Sequence, residues 1–473
     1  MKLMLFAPEL FLLFGALALF FLSTGKAGGK KARALTVSIA LVNVLICFAS
    51  LRSEGLLFYD AYKIDFFSQV LKLFISLGFS VVLLFSSELK GVEDEVRAEY
   101  YLFLLLSTLG LIMMVSSVEL LTMFIALELS SYSLYLLVPM RTDRGGLRVQ
   151  MEAAIKYILF GVVATGVMLF GMSYLFGLTG TTYFVELLPK LQMMMGSPVA
   201  LIAIAMVMGG FFFKLAVFPF HFWVPDVYQG ASNETTAFIA SVPKVAAVAM
   251  LIRITALVTP EAQAIVNMLI VLSVCSMLYG NLVALVQTDI KRMLGFSGIA
   301  HAGYVLLGLV TLQEAGYVTA FYYIVGYLVM NLAGFLVICK VSQQGENLAI
   351  ADLAGLHRRS PLLALTLAVS MFAMAGIPPF VGFMGKFMLL TGAYKAGHLA
   401  LVIIAAINTA ISIYYYLSVV RVTYAGNGEE QPLLQVDGMT KAVSVALVLV
   451  IIALGVVPNQ LLQVATSAIR TIL

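Results

Sequence analysis

The stretch "FFFKLAVFPFHFWVPDVYQGA", Phe211 to Ala231, places Lys214 inside an apolar run and follows it with Pro219 and Pro225. A proline inside a helix removes one backbone donor and clashes with the carbonyl four residues earlier. Pro219 therefore disturbs the carbonyl of Leu215, next to the lysine, and Pro225 that of His221. An ammonium near the centre of a bilayer costs about 2.5–3.5 kcal/mol on insertion scales. A packing kink would account for the prolines alone. It does not account for a buried cation beside them, where freed carbonyls attract water or protein donors.

The rest of the chain confirms that the setting is a membrane. Of 473 residues, 62% are hydrophobic and only 11% are charged, against about 25% charged in soluble domains. The formal net charge of +4 is spread out, and no basic patch points to nucleic acid. Cys47, Cys275 and Cys339 are far apart, each in an apolar run. Three thiols do not by themselves ligate an iron–sulfur cluster. A phosphate-binding loop at "GFMGKF" would need glycine at 380 and Ser or Thr at 387, and both are Phe. No redox centre or nucleotide site is expected in this chain. The N-terminal "MKLMLFAPELFLLFGALALFFLSTGKAGGK" is too long in its apolar part for a signal peptide and reads as a retained span.

Apolar runs of bilayer-crossing length, about 20 residues, recur from near 3–23 to near 440–464 and number about fourteen. The seventh, near 198–224, and the twelfth, near 361–392, are over-long and interrupted by Pro and Gly. Seventeen Lys and Arg fall in loops after odd-numbered spans, Lys26, Arg144 and Lys291 among them, and six in loops after even-numbered spans, Lys72 and Arg253 included. The positive-inside rule puts the odd loops in the cytoplasm and both termini outside it. The expected fold is an all-α membrane protein of about 14 transmembrane helices. Residues 1–98 form an N-terminal three-helix segment. Two inverted five-helix repeats follow, 99–258 and 259–425, each with a broken helix, and 426–473 supply a C-terminal helix. Lys214 and Lys386, near the two breaks, are taken as matched positions. Inverted repeats with broken helices line ion paths in many transporters.

Lys214, Lys244 and Lys386 have no loop to sit in, and Glu128 lies in the apolar "MFIALELSSYSLYLL". The four would together cost about 10–14 kcal/mol at the bilayer centre, so each needs a partner, water or neutrality. Burial favours the neutral forms of carboxylate and amine, and an opposite charge nearby favours the ionised forms. A glutamate that engages and releases a lysine is thus a proton switch, with a static salt bridge as the alternative. Lys244, in "IASVPKVAAVAMLI", is about three turns into its span. Lys386, in "PPFVGFMGKFMLL", follows the Pro378–Pro379 break, with Gly382 and Gly385 allowing close backbone approach. His301, in "SGIAHAGYVLL", is near mid-membrane and is either a proton relay or a hydrogen-bonded core residue. Glu152 and Lys156 read as an interfacial i, i+4 pair.

"FPFHFWVPDVYQGA", "EAAIKYILFG", "DIKRMLGFSGIAHAGY" and "AGIPPFVGFMGKF" resemble the motifs of the antiporter-like subunits of NADH-quinone oxidoreductase, respiratory complex I, and of these most nearly subunit N. The resemblance covers roughly residues 99–425. It implies that Glu128 is the glutamate of the fifth span, Lys214 its lysine partner on the seventh, Lys244 the central lysine of the eighth and Lys386 the lysine of the twelfth. Only "QGASNETTAF" departs from the usual proline-containing form, in what is taken as a loop. The resemblance further implies a bacterial inner-membrane subunit that pumps protons alongside sister antiporter-like subunits and small membrane subunits in the lipid bilayer. FMN, iron–sulfur clusters and quinone would lie in other subunits, with no cofactor or metal here and no nucleic-acid partner. The alternative is a subunit of a multi-subunit cation/proton antiporter. A solitary carrier of an organic solute fits less well, since no substrate pocket accompanies the lysines.

Overall fold

The chain is seen in a computed structural model that describes residues 2–25, 28–86, 88–142, 148–194, 196–259, 262–425 and 433–473, without the side chains of residues 2 and 3. Lys26 and Arg144, counted above in cytoplasmic loops, lie outside the described residues. Helices dominate, as they must where no water satisfies backbone groups. The membrane helices are α1 (Ala7–Ser23), α2 (Gly29–Ala49), α3 (Phe66–Phe85), α4 (Arg97–Ser116), α5 (Leu120–Leu137), α6 (Val149–Thr179), α7 (Pro198–Leu215) and α8 (Val224–Gly230). There follow α9 (Asn233–Thr255), α10 (Gln263–Ala284), α11 (Ile290–Val310), α12 (Glu314–Val341), α13 (Pro361–Ala375), α14 (Val381–Lys395), α15 (Leu399–Ala425) and α16 (Gly438–Val456). Among the described residues, twelve helices are long and apolar enough to cross a membrane, and α1 and α13 are apolar but shorter. The over-long seventh run of the sequence holds α7 and the break after it and ends where α8 begins, and the twelfth is two helices, α13 with α14.

Burial sorts the helices into a centre and a rim. The apolar windows of α9 and α11 are 100% buried within the chain and that of α12 is 89% buried, against 33% for α2, α15 and α16. The rim helices turn large apolar side chains such as Phe48, Val163 and Ile403 outward, as lipid-facing helices do. The centre is where any polar path through this chain must run.

The same local construction occurs twice. Glu119 caps α5 by accepting from the Thr122 amide at 2.7 Å, and Asp289 caps α11 by accepting from the Arg292 amide at 2.9 Å. Beside each cap an extended segment pairs with the chain: Leu120 N–H donates to Thr182 and Phe184 N–H to Val118, then Ile290 N–H to Leu348 and Ile350 N–H to Thr288. Gly110 lets α4 close on α5, where a Cβ would sit 2.6 Å from the Ser130 nitrogen. Gly280 does the same for α10 and α11, with a Cβ 2.6 Å from the Ala300 nitrogen.

The two breaks are also alike. Ala216 (φ +71°) ends α7, with its N–H on the Phe213 carbonyl and the Val217 N–H on that of Phe212. Gly376 (φ +86°) ends α13, with its N–H on Ala373 and the Ile377 N–H on Phe372. A left-handed residue of this kind closes a helix by satisfying its last carbonyls. A cis peptide follows each, Phe218–Pro219 and Pro378–Pro379.

Candidate functional site

All five residues singled out in the sequence are buried: Glu128 at 7% exposure, Lys214, His301 and Lys386 at 3%, and Lys244 at 1%. Lys214 occupies the last turn of α7. Its Nζ donates to Ser130 Oγ at 3.1 Å and Ser131 Oγ at 2.9 Å, both on α5. The expected direct contact with Glu128 is not formed: no ion pair joins the two among the described residues, and Glu128 Oε1 is buried without a hydrogen-bond partner. The serines two and three residues beyond the glutamate reach the ammonium first. The carboxylate stays close enough to act on Lys214 through its charge while remaining open to another donor. The helix break is likewise met by protein, since the Phe213 carbonyl accepts from Trp223 Nε1 at 3.1 Å and Phe218 N–H donates to Ser276 Oγ at 3.0 Å.

Lys244 lies in the fully buried α9, eleven residues from its start, about 16 Å at 1.5 Å per residue. Its Nζ donates to Tyr327 Oη at 3.2 Å and to the Gly298 carbonyl at 3.4 Å, and stands 5.1 Å from the Tyr327 ring centroid. His301 is held between two phenols, Tyr323 Oη at 2.6 Å from Nδ1 and Tyr416 Oη at 3.0 Å from Nε2, with the Tyr327 ring 5.0 Å away. Lys386 Nζ donates to the carbonyls of Met374 at 2.9 Å and Ala375 at 3.2 Å and faces the Tyr304 ring at 4.7 Å. Tyr304 Oη bonds Thr409 Oγ1 at 2.7 Å. Lys244, His301 and Lys386 thus share one cluster of tyrosines, while Lys214 sits apart with Glu128. Three further hydroxyls, those of Tyr135, Tyr228 and Ser241, are buried without a hydrogen-bond partner, and the Tyr228 ring packs against those of Trp223 and Phe335.

The repeated construction corrects one reading of the sequence. Lys214 and Lys386 are not matched positions: Lys214 precedes the first break, on α7, and Lys386 follows the second, on α14. Aligning the breaks at Ala216 and Gly376 places Met374 opposite Lys214. Lys386 reaches back across its break to the carbonyl of that same residue. Aligning the caps Glu119 and Asp289 places Gly298 opposite Glu128 and His301 opposite Ser131.

Other charges moved as well. Lys72 and Lys291, counted with loop residues, are fully buried. Lys72 Nζ is 2.5 Å from Glu9 Oε1, whose neighbour Tyr62 donates to it at 2.6 Å. Lys291 donates to the Ala231 carbonyl at 2.9 Å. Arg253 forms a buried pair with Asp65 at 3.0 Å. Lys156 meets Glu152 at 2.7 Å as expected and also Asp226 at 2.6 Å, which Arg292 grips at 2.9 Å. Asp226 therefore ties α6, α8 and α11 together. The tyrosines were missed. The i, i+4 pair Tyr323 and Tyr327 in "FYYIVGYLVMN" was the available signal.

A family profile described as "NADH:quinone oxidoreductase/Mrp antiporter, TM" matches residues 117–412. The NADH-quinone oxidoreductase subunit N 2 of Opitutus terrae is 51% identical over 99% of this chain and 98% of its own, and that of Syntrophobacter fumaroxidans is 44% identical over the full length of both. The chain belongs to the family of NADH-quinone oxidoreductase subunit N. A chain of respiratory complex I from Thermus thermophilus superposes with a TM-score of 0.83 at 31% identity, over 96% of this chain and 98% of that one. A chain of the Mrp complex from Dietzia sp. gives a TM-score of 0.88 at 21% identity, over 100% and 98%, a likeness of fold alone. In subunit N terms, the profile spans Glu128, Lys214, Lys244, His301 and Lys386 together.

Proposed function

We propose that this chain is the proton-translocating subunit N of a bacterial NADH-quinone oxidoreductase, working in the inner membrane beside sister antiporter-like subunits and small membrane subunits. Glu128 modulates Lys214, Lys244 passes the proton on, His301 and its tyrosines bridge the centre, and Lys386 leads to the exit. FMN, iron–sulfur clusters and the quinone reaction belong to other subunits, and energy reaches this chain as a conformational or electrostatic signal. Residues 99–258 and 259–425 act as five-helix units. Because five is odd, they cross the membrane in opposite senses. The loops after odd-numbered spans face the cytoplasm, and both termini lie on the other side.

The observation that carries this reading is the siting of Lys244 and His301 on the two wholly buried helices, each on phenol hydroxyls able to give and take a proton. The gaps between the groups require water or side-chain rotation, which suits a gated path. The test is alanine at Lys214 or Glu128 in the assembled complex, measuring proton translocation against quinone reduction. Translocation should fall while the complex still assembles, and wild-type pumping in a normally assembled variant refutes the assignment. The family profile also admits an antiporter subunit, which co-purification with small antiporter subunits and sodium–proton exchange without quinone reduction would reveal.

A further inference from the structure

"QGASNETTAF", the stretch taken as a loop, is in fact the start of α9. Ser232 caps the helix by accepting from the Thr235 amide at 3.2 Å, and Glu234 falls in its first turn. Glu234 is 6% exposed, and its Oε2 has no hydrogen-bond partner. The carboxylate faces a cavity of about 710 Å³ that opens among the loops rich in Lys and Arg. Arg33, Glu88, Lys90 and Lys340 line the outer part, with Glu234 and Cys339 on the buried wall. From the packed elements, Tyr100 and Tyr101 of α4, Lys291 of α11 and Cys339 and Lys340 of α12 face the carboxylate. None of these neutralises it by contact. Lys291 is spent on the Ala231 carbonyl, and Lys340 meets Asp437 at 3.2 Å.

Inward from Glu234, α9 itself offers a track. Ser241 lies seven residues on, on the same face of the helix, and its buried hydroxyl has no partner. Lys244 follows one turn later. The distance from Glu234 to Lys244 along α9 is about 15 Å at 1.5 Å per residue, half a hydrocarbon core. One oxygen of this carboxylate, Oε2, is left without a partner on the wall of an open cavity, half a membrane from the central lysine, and burying a polar atom without a partner costs stability.

We propose that this cavity is a proton-loading port and that Glu234 is its acceptor. Glu234 Oε2 takes a proton from hydronium in the cavity, leaving water, and passes the same proton inward past Ser241 to the Lys244 amine, which becomes ammonium. No electron moves. This rests on the relay proposed above.

The test compares Glu234→Gln, Glu234→Asp, Lys244→Ala and Glu54→Gln, an exposed carboxylate outside the cavity, in the intact complex. It reads proton translocation per electron in sealed vesicles and quinone reduction with an uncoupler. Glu234→Gln should lower translocation per electron by the same fraction as Lys244→Ala, Glu234→Asp should restore part of it, and Glu54→Gln should match wild type. A loss in Lys244→Ala with wild-type pumping in Glu234→Gln overturns the port and leaves the relay standing. Wild-type pumping in Lys244→Ala overturns the relay itself. A small charged thiol reagent should modify Cys339 in the intact complex from the side of the basic loops, and labelling from the opposite side only also overturns the port.

Discussion

Gly298→Ala separates the packing of the relay from the stability of the fold. Gly298 faces Lys244 and Tyr327, and a Cβ there would lie 2.9 Å from Lys244 Nζ and 2.9 Å from Tyr327 Oη. Ordinary contact needs 3.4–4 Å, so both atoms must retreat by about 0.5–1 Å, and the 3.2 Å bond between them opens. Overpacking of this kind costs about 1–3 kcal/mol. Alanine recovers about 0.5–1 kcal/mol over glycine inside a helix. The net cost to folding is about 0–2.5 kcal/mol, so the subunit should still assemble. The whole strain, about 1–3 kcal/mol, falls on the ammonium–phenol contact, and at about 1.4 kcal/mol per tenfold in rate transfer there should slow about 5- to 140-fold. The assay is dye-quenching of proton uptake in vesicles containing the complex, set against quinone reduction. Gly166→Ala, where a Cβ would meet nothing within 4 Å, is the control and should pump as wild type. If Gly298→Ala assembles and pumps at the wild-type ratio, Lys244 does not pass protons from the position described.

Three further outcomes follow from the structure. Asp65→Asn strips the charge partner from buried Arg253 and, as the breaking of a buried ion pair, should cost about 3–5 kcal/mol, seen as reduced assembly or a lower melting temperature of the complex. Tyr416→Phe leaves His301 Nε2 unpartnered at a cost of about 1–3 kcal/mol; pumping should fall with quinone reduction intact in uncoupled membranes, and unchanged pumping argues for a structural histidine. Asp437 caps α16 and meets Lys340. Burial opposes its charge, but hydrogen bonds from Thr440 and Lys340 lower its pKa to about 2. Its folded pKa lies below the unfolded one, so its contribution is fully present above about pH 4 and is lost as pH falls toward 2. Asp437→Asn should flatten that part of the acid melting curve and leave stability at pH 7 lowered by a small, constant amount.

What was legible in the sequence was what is expensive. A lysine or glutamate inside an apolar run stands out against its neighbours, so Glu128, Lys214, Lys244 and Lys386 were visible before any fold. The prolines announced both broken helices. The tyrosines were silent: with 21 of them in the chain, a phenol in a membrane helix carries no signal until the fold shows which ones meet at His301. The matching of Lys214 with Lys386 failed because it paired residues by charge. The true correspondence lies in backbone features of low visibility, a helix cap, a close-approach glycine and a left-handed residue at the helix end. Lys72, Lys291 and Glu234 were misplaced near the ends of apolar runs, where sequence does not distinguish a side chain that reaches water from one that packs inward.

That correspondence explains how one scaffold serves two different polar groups. On α5 the repeated position carries Glu128, and beside it Ser130 and Ser131 hold Lys214. On α11 the same position is Gly298, whose missing side chain leaves the space that Lys244 of α9 fills, and Ser131 gives way to His301. The first half therefore keeps a carboxylate beside a cation it does not touch. The second removes the carboxylate and brings a cation into its place, among phenols. Two sites built on the same backbone thus differ through a single exchange of glutamate for glycine, one keeping a carboxylate near its cation and the other giving the cation the space of the missing side chain.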